Sequence, residues 1–353
     1  WKEFEIYLKR IWFSNGIHHH YSNDKFIPKF SKKYLKDLLD ESKTSLNYDA
    51  FDAIFNSKDL KKVNLDPKIG LIKGSAINFY DDNITESEVN DFYKKINLDD
   101  PKKPISLGLN SKLIKVDGAI KEKVWKLDGM YSNSIEKIIF WLKKAMSVSE
   151  NDQQKKAFGL LIKYYETGEL ETWDDYNIEW VNTLEGDIDY INGFIEVYND
   201  PMAYKASFES VVQIKDFEMS KKMDALSKNA QWFEDNSTIS NNHKRKNVVG
   251  ISYNTVNVTS EAGATSPSSP IGINLPNANW IRAKHGSKSV SKVSSRIADA
   301  STKSSHILLA GQFISLSKRV TLCFSLCAAS IIIRPNCPPP SSPMFKIHPD
   351  LNS

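Results

Sequence analysis

The spacing of apolar residues predicts helices through the first half of the chain. Apolar side chains recur at helical intervals over residues 34–39 and 135–146, with charged residues on the opposite faces. Ser31 and Ser134 precede these two runs, and serine is a favoured residue at a helix N-terminus because its hydroxyl accepts a hydrogen bond from the first turn. Both runs are therefore predicted to form amphipathic helices.

Four further helices are predicted from their end signals and periodicity. Thr85 and Glu88 have the spacing of a capping box, and residues 152–167 repeat a helical pattern that ends before Gly168. Thr172 is the predicted N-cap of a helix that contains Trp173, Tyr176 and Trp180. The longest predicted helix runs from about Phe208 to Phe233.

Segments rich in aromatic and β-branched residues appear in the second half of the chain. They are Asp189 to Tyr198, Val248 to Val258, Gly272 to Asn277 and Trp280 to Val290. Helices followed by strands, with one long helix between them, are typical of the α+β class rather than of an alternating α/β fold.

Composition places the chain among ordinary globular proteins. Its 353 residues are 41% hydrophobic and 25% charged, with a net charge of +4, so nothing in the overall charge indicates nucleic-acid binding. No apolar run reaches the roughly 18 residues that a membrane span needs. The chain opens on Trp1 without a basic and then apolar leader, so we expect a cytoplasmic location. Export stays open, because the absence of an initial Met suggests that the true N-terminus is missing.

The composition changes abruptly after Ser291. The last 62 residues contain seven Lys or Arg, two acids, all three cysteines and six of the fourteen prolines, but no Trp or Tyr. We therefore predict that residues 292–353 are frameshifted or disordered, and the alternative is a genuine low-complexity extension.

The sequence contains no metal-binding or catalytic motif at the residue spacing that such a site requires. None of the seven histidines belongs to a His-Glu-x-x-His or His-x-x-x-His pair, and residues 18–20, three consecutive histidines, are predicted to form a loop. The order Gly-x-Ser-x-Gly does not occur, and the cysteines have no His partners at metal spacing. The sequence thus predicts no metal ligands and no complete catalytic apparatus.

Two segments carry residue pairs suited to binding. Glu196 and Tyr198 lie two apart and would share one face of a strand, where a carboxylate and a phenol can bind an amine and an oxyanion. Asn274 and Asn277 flank Pro276, and their amides can grip an extended peptide backbone. The alternatives are a surface Glu beside a core Tyr, and ordinary turn chemistry at Pro276.

These segments together resemble the dipeptidyl peptidase III family. Residues 193–201, 272–277 and 287–291 occur in the order and approximate spacing of that family, and residues 14–28 resemble its bacterial branch. The similarity is expected to cover most of residues 1–291 and none of the tail.

The resemblance implies a two-lobed zinc exopeptidase that removes dipeptides from peptide N-termini. One lobe would be helix-rich and built on a small β-barrel, and the other would carry the metal. Glu196 would hold the substrate's ammonium group, and Tyr198 would stabilise the oxyanion or scissile carbonyl. Asn274 and Asn277 would bind the substrate backbone, so short peptides are the expected partners.

The resemblance also implies how the chain is divided. Residues 1–205 and 246–291 would form the barrel lobe, and residues 206–245 would make a helical excursion toward the second lobe. The family's zinc-binding hexapeptide and later Glu would follow Ser291, where this sequence has no counterpart. We therefore expect an incomplete chain that binds no zinc specifically and is not catalytically active, although the complete family enzyme uses zinc. The alternative is a non-catalytic peptide-binding protein derived from the family.

Overall fold

The structure is a computed structural model that describes residues 1–14, 17–19, 24–46, 48–57, 70–74, 79–81, 83–96, 100–248, 251–265 and 270–292. Its α-helices are α1 (Lys2–Phe13), α2 (Lys32–Glu41), α3 (Tyr48–Phe55), α4 (Leu71–Gly74), α5 (Glu86–Lys94), α6 (Ser132–Ser147), α7 (Asp152–Thr167), α8 (Leu170–Asn182), α9 (Phe217–Lys228), α10 (Ala230–Asp235) and α11 (Asn279–His285). Its strands are β1 (Ser111–Val116), β2 (Ala119–Val124), β3 (Ile188–Glu196), β4 (Ser207–Lys215), β5 (Ile251–Gly263), β6 (Gly272–Leu275) and β7 (Ser287–Lys292). The predicted α+β class is confirmed. The tail from residue 293 onward and residues 15, 16 and 20–23 lie outside the described residues.

The main sheet has five strands in the order β3-β4-β5-β7-β6. Neighbouring strands are antiparallel except for β5 and β7, which are parallel. Strands β1 and β2 form a separate antiparallel hairpin. Within the described residues the five strands form an open sheet with β3 and β6 at its edges, not the closed barrel that the resemblance implies.

The open sheet is nevertheless curled, because residues from its two ends meet. Lys288 of β7 donates a hydrogen bond to the Asp189 carboxylate of β3 at 3.1 Å, although β4 and β5 separate these strands in the sheet order. The same ammonium lies 4.4 Å from the ring centroid of Trp180. Ile195 of β3 and Leu275 of β6 also line one cavity, so the two edge strands approach each other.

Helices α7 and α8 pack against β3 of this sheet, and α6 packs against α7. The ring of Phe158 in α7 stacks on Tyr190 of β3 with centroids 4.5 Å apart. Trp173 in α8 lies against Gly193 of β3, where an added Cβ atom would come within 2.5 Å of the indole ring. The helix can therefore approach the strand closely because Gly193 has no side chain.

Three of the predicted helix ends are confirmed, whereas Ser134 lies inside α6, which begins at Ser132 with Tyr131 as its N-cap. Ser31 accepts a hydrogen bond from the first turn of α2, and Thr85 and Glu88 form the predicted capping box of α5. Helix α7 spans residues 152–167 as predicted and ends at Gly168, which has a φ of +76°. Thr172 is not an N-cap, since α8 begins at Leu170 and the Thr172 hydroxyl donates to a Glu169 carboxylate oxygen within the first turn.

The predicted helix from Phe208 to Phe233 is wrong in its first third. Residues 207–215 form β4, which pairs with β3 on one side and β5 on the other. Both faces of β4 are buried, and its Phe208, Val211 and Val212 are spaced as on a helix face rather than alternating as in a half-exposed strand. Helix α9 begins only after Asp216, whose carboxylate accepts a hydrogen bond from the Met219 amide at 3.0 Å.

Helices α9 and α10 leave several large apolar side chains exposed. Ser220 is the buried residue of α9, where it bonds to the backbone of Thr255 in β5, and α10 has no buried residue. The exposed side chains in and beside these helices are Phe217, Leu226, Trp232, Phe233 and Ile239.

The strand predicted over residues 280–290 is partly wrong. Residues 279–285 form α11, and only residues 287–292 form a strand. Gly286, with a φ of +93°, separates the two elements. No α-helix within the described ranges has the length and apolar character that a membrane span requires.

Candidate functional site

Glu196 and Tyr198 lie close together at the end of edge strand β3. The strand ends at Glu196, after an irregularity in its pairing with β4 between Phe194 and Glu196. Tyr198 belongs to the turn that follows, so the two residues are not on one strand face as predicted. The Tyr198 side chain is 86% exposed and has a Glu196 carboxylate beside its hydroxyl. Tyr198 is therefore a surface residue rather than a core tyrosine.

Negative charge surrounds the Tyr198 hydroxyl. The charge of Glu196 raises the pKa of Tyr198, and slight burial, a hydrogen bond to Glu196 and the charge of Glu209 act in the same direction. Glu209 lies on β4 opposite Gly193 and is buried. Sequence reasoning missed Glu209, because the pattern around it was interpreted as a helix.

The turn after Tyr198 is built around the buried carboxylate of Asp200. This carboxylate accepts hydrogen bonds from the Tyr80 hydroxyl at 2.7 Å and from the backbone amides of Met202, Tyr204 and Lys205 at 3.0, 2.9 and 2.7 Å. Four donors on one carboxylate fix the loop between β3 and β4 and thereby the backbone that carries Tyr198.

Lys205 ties the same turn to the β1–β2 hairpin. Its side chain is fully buried and donates hydrogen bonds to the Tyr93 hydroxyl and, at 2.8 Å, to the Ser111 hydroxyl. Glu122 accepts hydrogen bonds from both hydroxyls, and its carboxylate lies 3.6 Å from the Lys205 ammonium. Burial lowers the pKa of Lys205 to about 8, although Glu122 and Asp200 oppose that shift.

Asn274 and Asn277 lie at the other edge of the sheet, on β6 and just after it. The Asn274 amide nitrogen donates to the hydroxyls of Ser289 and Ser287 on neighbouring β7, the latter at 3.3 Å. Asn277 follows Pro276, whose peptide bond with Leu275 is cis, and its side chain is exposed. Asn274 thus supports the β6–β7 pairing, whereas Asn277 faces outward.

A cavity of about 50 Å³ connects the two edges of the sheet. Its lining comes from α8, from β3, from Ser106 and Leu109 before β1 and from residues 275–278, and it includes Asn277. Glu196, Tyr198 and Asn274 are not among the lining residues. The structure therefore brings Glu196 and Tyr198 together as one pair and places Asn277 at a cavity that β3 also borders.

The described residues do not provide the zinc site that the resemblance implies. Within the described ranges, no three His, Cys, Asp or Glu side chains are grouped so that they could hold a metal ion. His18 and His19 lie in a short loop in which residue 18 forms a β-bridge with Lys25 and the His19 amide bonds to Asp24. The two histidines of this loop do not provide the ligand set of a zinc centre, so no reaction step at zinc is assigned to the described residues.

Comparison with known families decides the relationship. The model of Peptidase family M49 matches residues 105–322, which is more than half of the chain. The chain belongs to Peptidase family M49. The match includes Glu196, Tyr198, Asn274 and Asn277, and it extends past Ser291. The expectation that the similarity excludes the tail is therefore wrong.

Curated relatives of this M49 chain are dipeptidyl peptidases. Dipeptidyl peptidase 3 of Dictyostelium discoideum is 24% identical over 311 residues, which cover 81% of this chain and 43% of that protein. Dipeptidyl peptidase 3 of Homo sapiens is 25% identical over 163 residues, 46% of this chain and 22% of that protein. The chain spans less than half the length of these relatives.

Solved structures show a similar fold. The DPP III of Caldithrix abyssi matches with a TM-score of 0.51 and 23% identity, covering 61% of this chain and 40% of that one. The dipeptidyl-peptidase III of Corallococcus sp. strain EGB matches with a TM-score of 0.52 and 20% identity, covering 61% and 39%. At this identity the likeness concerns the fold, and it supports the M49 assignment at that level.

Proposed function

We propose that this M49 chain carries the peptide-binding part of a dipeptidyl peptidase III-type enzyme and binds the free N-terminus of short peptides. The observation that supports this most is the Glu196 carboxylate beside the exposed Tyr198 hydroxyl at the end of an edge strand. Family membership supports peptides as the ligand class. The four site residues and their roles belong to this proposal.

Glu196 and Tyr198 have complementary roles in the proposal. A carboxylate attracts a peptide's terminal ammonium and can accept its hydrogen bonds, so Glu196 is the anchor for the N-terminus. The Tyr198 phenol is protonated at neutral pH, consistent with its raised pKa, and it can donate a hydrogen bond to a peptide carbonyl oxygen when Glu196 binds the ammonium group instead. This donor is suited to stabilising negative charge that develops on that oxygen.

The edge of the sheet supplies backbone recognition in the proposal. Strand β6 has one neighbour, β7, within the described residues, so an extended peptide can pair with its other side. Asn277, exposed beside the cavity, would bind peptide backbone through its amide. Asn274 already donates to Ser287 and Ser289, so its side-chain oxygen is the atom left for a peptide amide.

The domain division and the missing metal site are further parts of the proposal. Residues 1–205 and 246–291 would form the substrate lobe, to which β4 also contributes, so that the proposed 206–245 excursion leaves the sheet only after Lys215. Residues 292–353 would be a tail whose first part still matches the family model. The curated relatives are more than twice as long as the matched portion of this chain, and no His in this sequence is followed by Glu. In the proposal this chain therefore binds peptides without hydrolysing them.

Calorimetric titration of the full chain tests the binding proposal. A tetrapeptide with a free N-terminus is compared with the same peptide acetylated at its N-terminus. We expect binding of the free peptide to be at least about tenfold tighter, since one charged hydrogen bond contributes roughly 1.5–3 kcal/mol. Glu196→Gln should abolish the preference, and Glu185→Gln, which alters an exposed carboxylate, should keep it.

Two outcomes would contradict the proposal. Equal affinity for the free and acetylated peptides would show that no ammonium site exists at Glu196. Zinc-dependent release of an N-terminal dipeptide by the purified chain would show that the proposed catalytic incompleteness is wrong. The second result would leave the peptide-binding assignment intact.

A further inference from the structure

Asp174 is a largely buried residue whose carboxylate has no hydrogen-bond or ion-pair partner among the residues that the structure describes. It lies in α8 and is only 7% exposed, whereas its neighbour Asp175 is exposed. Burial disfavours the ionised form of this carboxylate, and a counter-charge or a proton relieves that penalty.

The Asp174 side chain lines the cavity between α8, β3 and residues 275–278. The cavity also contains the aromatic side chains of Trp173, Tyr176 and Trp180 and the amides of Asn177 and Asn277. Its volume of about 50 Å³ exceeds the roughly 10–15 Å³ that one water centre needs, so an ion and accompanying water can enter.

Among the described residues that line the cavity, Asp174 alone is charged. No lysine, arginine or histidine lines it, and the lining residues from β3 and from residues 275–278 have no titratable groups. Glu171 and Asp175 add negative charge from α8 itself. Lys288 on β7 contacts Trp180 but is paired with Asp189, and α11, which packs against α8, carries Arg282, Lys284 and His285 in its last turn.

We propose that this cavity binds a small monovalent cation of the size of potassium or ammonium, with Asp174 as its counter-charge. Aromatic faces attract weakly hydrated cations, and amide oxygens complete the coordination. Magnesium and calcium are disfavoured, because they require several oxygen ligands and the cavity offers one carboxylate. Sodium is disfavoured by its stronger hydration.

The protonation behaviour of Asp174 supports this assignment. Burial raises the pKa of Asp174 to about 7, with smaller contributions from Asp175 and Glu171. A proton therefore competes with the cation near neutral pH. Cation binding should release that proton and should be tighter at pH 8 than at pH 5.5.

Thermal unfolding of the full-length chain tests the site without any peptide. Potassium, ammonium or sodium chloride replaces choline chloride at constant ionic strength and pH 8. When the cation concentration is about tenfold above its dissociation constant, we expect potassium or ammonium to raise Tm by about 3 °C. Sodium should raise Tm by clearly less. Asp174→Asn should remove this rise, and Asp175→Asn, which changes an exposed neighbour, should retain it.

The measurements on the unmodified chain are sufficient to overturn the proposal, even if Asp174→Asn fails to fold. Equal Tm in potassium, ammonium and choline at pH 8 would exclude the site. A sodium response as large as that of potassium, or a rise that does not decrease at pH 5.5, would also overturn it. A larger rise in ammonium than in potassium would identify a site that accepts hydrogen bonds, and the reverse would identify a metal-ion site.

Discussion

Replacement of Asp200 should be among the most destabilising single changes in the turn between β3 and β4. The carboxylate is 4% exposed and accepts four hydrogen bonds from donors on both sides of the turn. Asp200→Ala leaves the Tyr80 hydroxyl and the Lys205 amide without their acceptor in a buried region. It also removes the negative charge that stabilises the buried Lys205 ammonium.

The expected magnitude follows from the number and kind of bonds lost. A hydrogen bond to a charged group contributes about 1.5–3 kcal/mol, but four bonds to one carboxylate are not additive. Breaking a buried charged network by removing one partner typically costs about 3–5 kcal/mol. We therefore expect Asp200→Ala to lower the free energy of unfolding by about 3–5 kcal/mol.

Urea denaturation followed by tryptophan fluorescence measures this loss. Asp224→Ala serves as the matched control, because Asp224 is exposed on α9, and it should change stability by less than about 0.5 kcal/mol. Asp200→Asn should lie between the two, since its single carbonyl oxygen can still accept some of the bonds. A loss below about 1 kcal/mol for Asp200→Ala would refute the idea that this carboxylate organises the turn.

Three further changes test other features. Asn151→Ala should lower the free energy of unfolding by about 1 kcal/mol in urea titrations, because Asn151 caps α7, and an unchanged midpoint would contradict the cap. The pKa of Lys205 is about 8 when folded and 10.5 ordinarily, so its burial penalises stability below pH 8 and is relieved between pH 8 and 10.5. The free energy of unfolding should therefore rise over that range relative to Lys205→Met, and Lys163→Met, at an exposed site, should show the same rise as the unmodified chain. Gly193→Ala should lower Tm, because its Cβ would overlap an indole ring, whereas Gly159→Ala in open helical space should raise it slightly. Equal shifts for the two glycine variants would contradict the close packing.

Local signals explain why the helices were largely predictable from the sequence. The capping box of Thr85 and Glu88 and the glycine that ends α7 act within a few residues, so the sequence alone contains them. The strand β4 was missed for the opposite reason. Its Phe208, Val211 and Val212 are buried by β3 and β5 from distant parts of the chain, but their spacing along the sequence is that of one helix face.

Only those residues of the candidate site that belong to a sequence motif could be predicted from the sequence. Glu196 and Tyr198 were selected from their motif and do lie together, but the end of β3 between them follows from an irregular pairing with β4. Asp174 and Glu209 had no comparable signal. Their burial depends on how α8 and the sheet pack together, which no spacing along the chain encodes.

The position of β7 in the sheet has a consequence for biosynthesis. This strand is the last described one in the chain, yet it lies between β5 and β6 and supplies the Lys288 that reaches Asp189. A nascent chain can form the β3–β4–β5 meander while β7 is still inside the ribosomal exit tunnel, but β6 then has no strand to pair with. The edges of the sheet can meet only after residue 292 has emerged, so ribosome-bound chains halted before that point should be markedly more sensitive to protease than released ones.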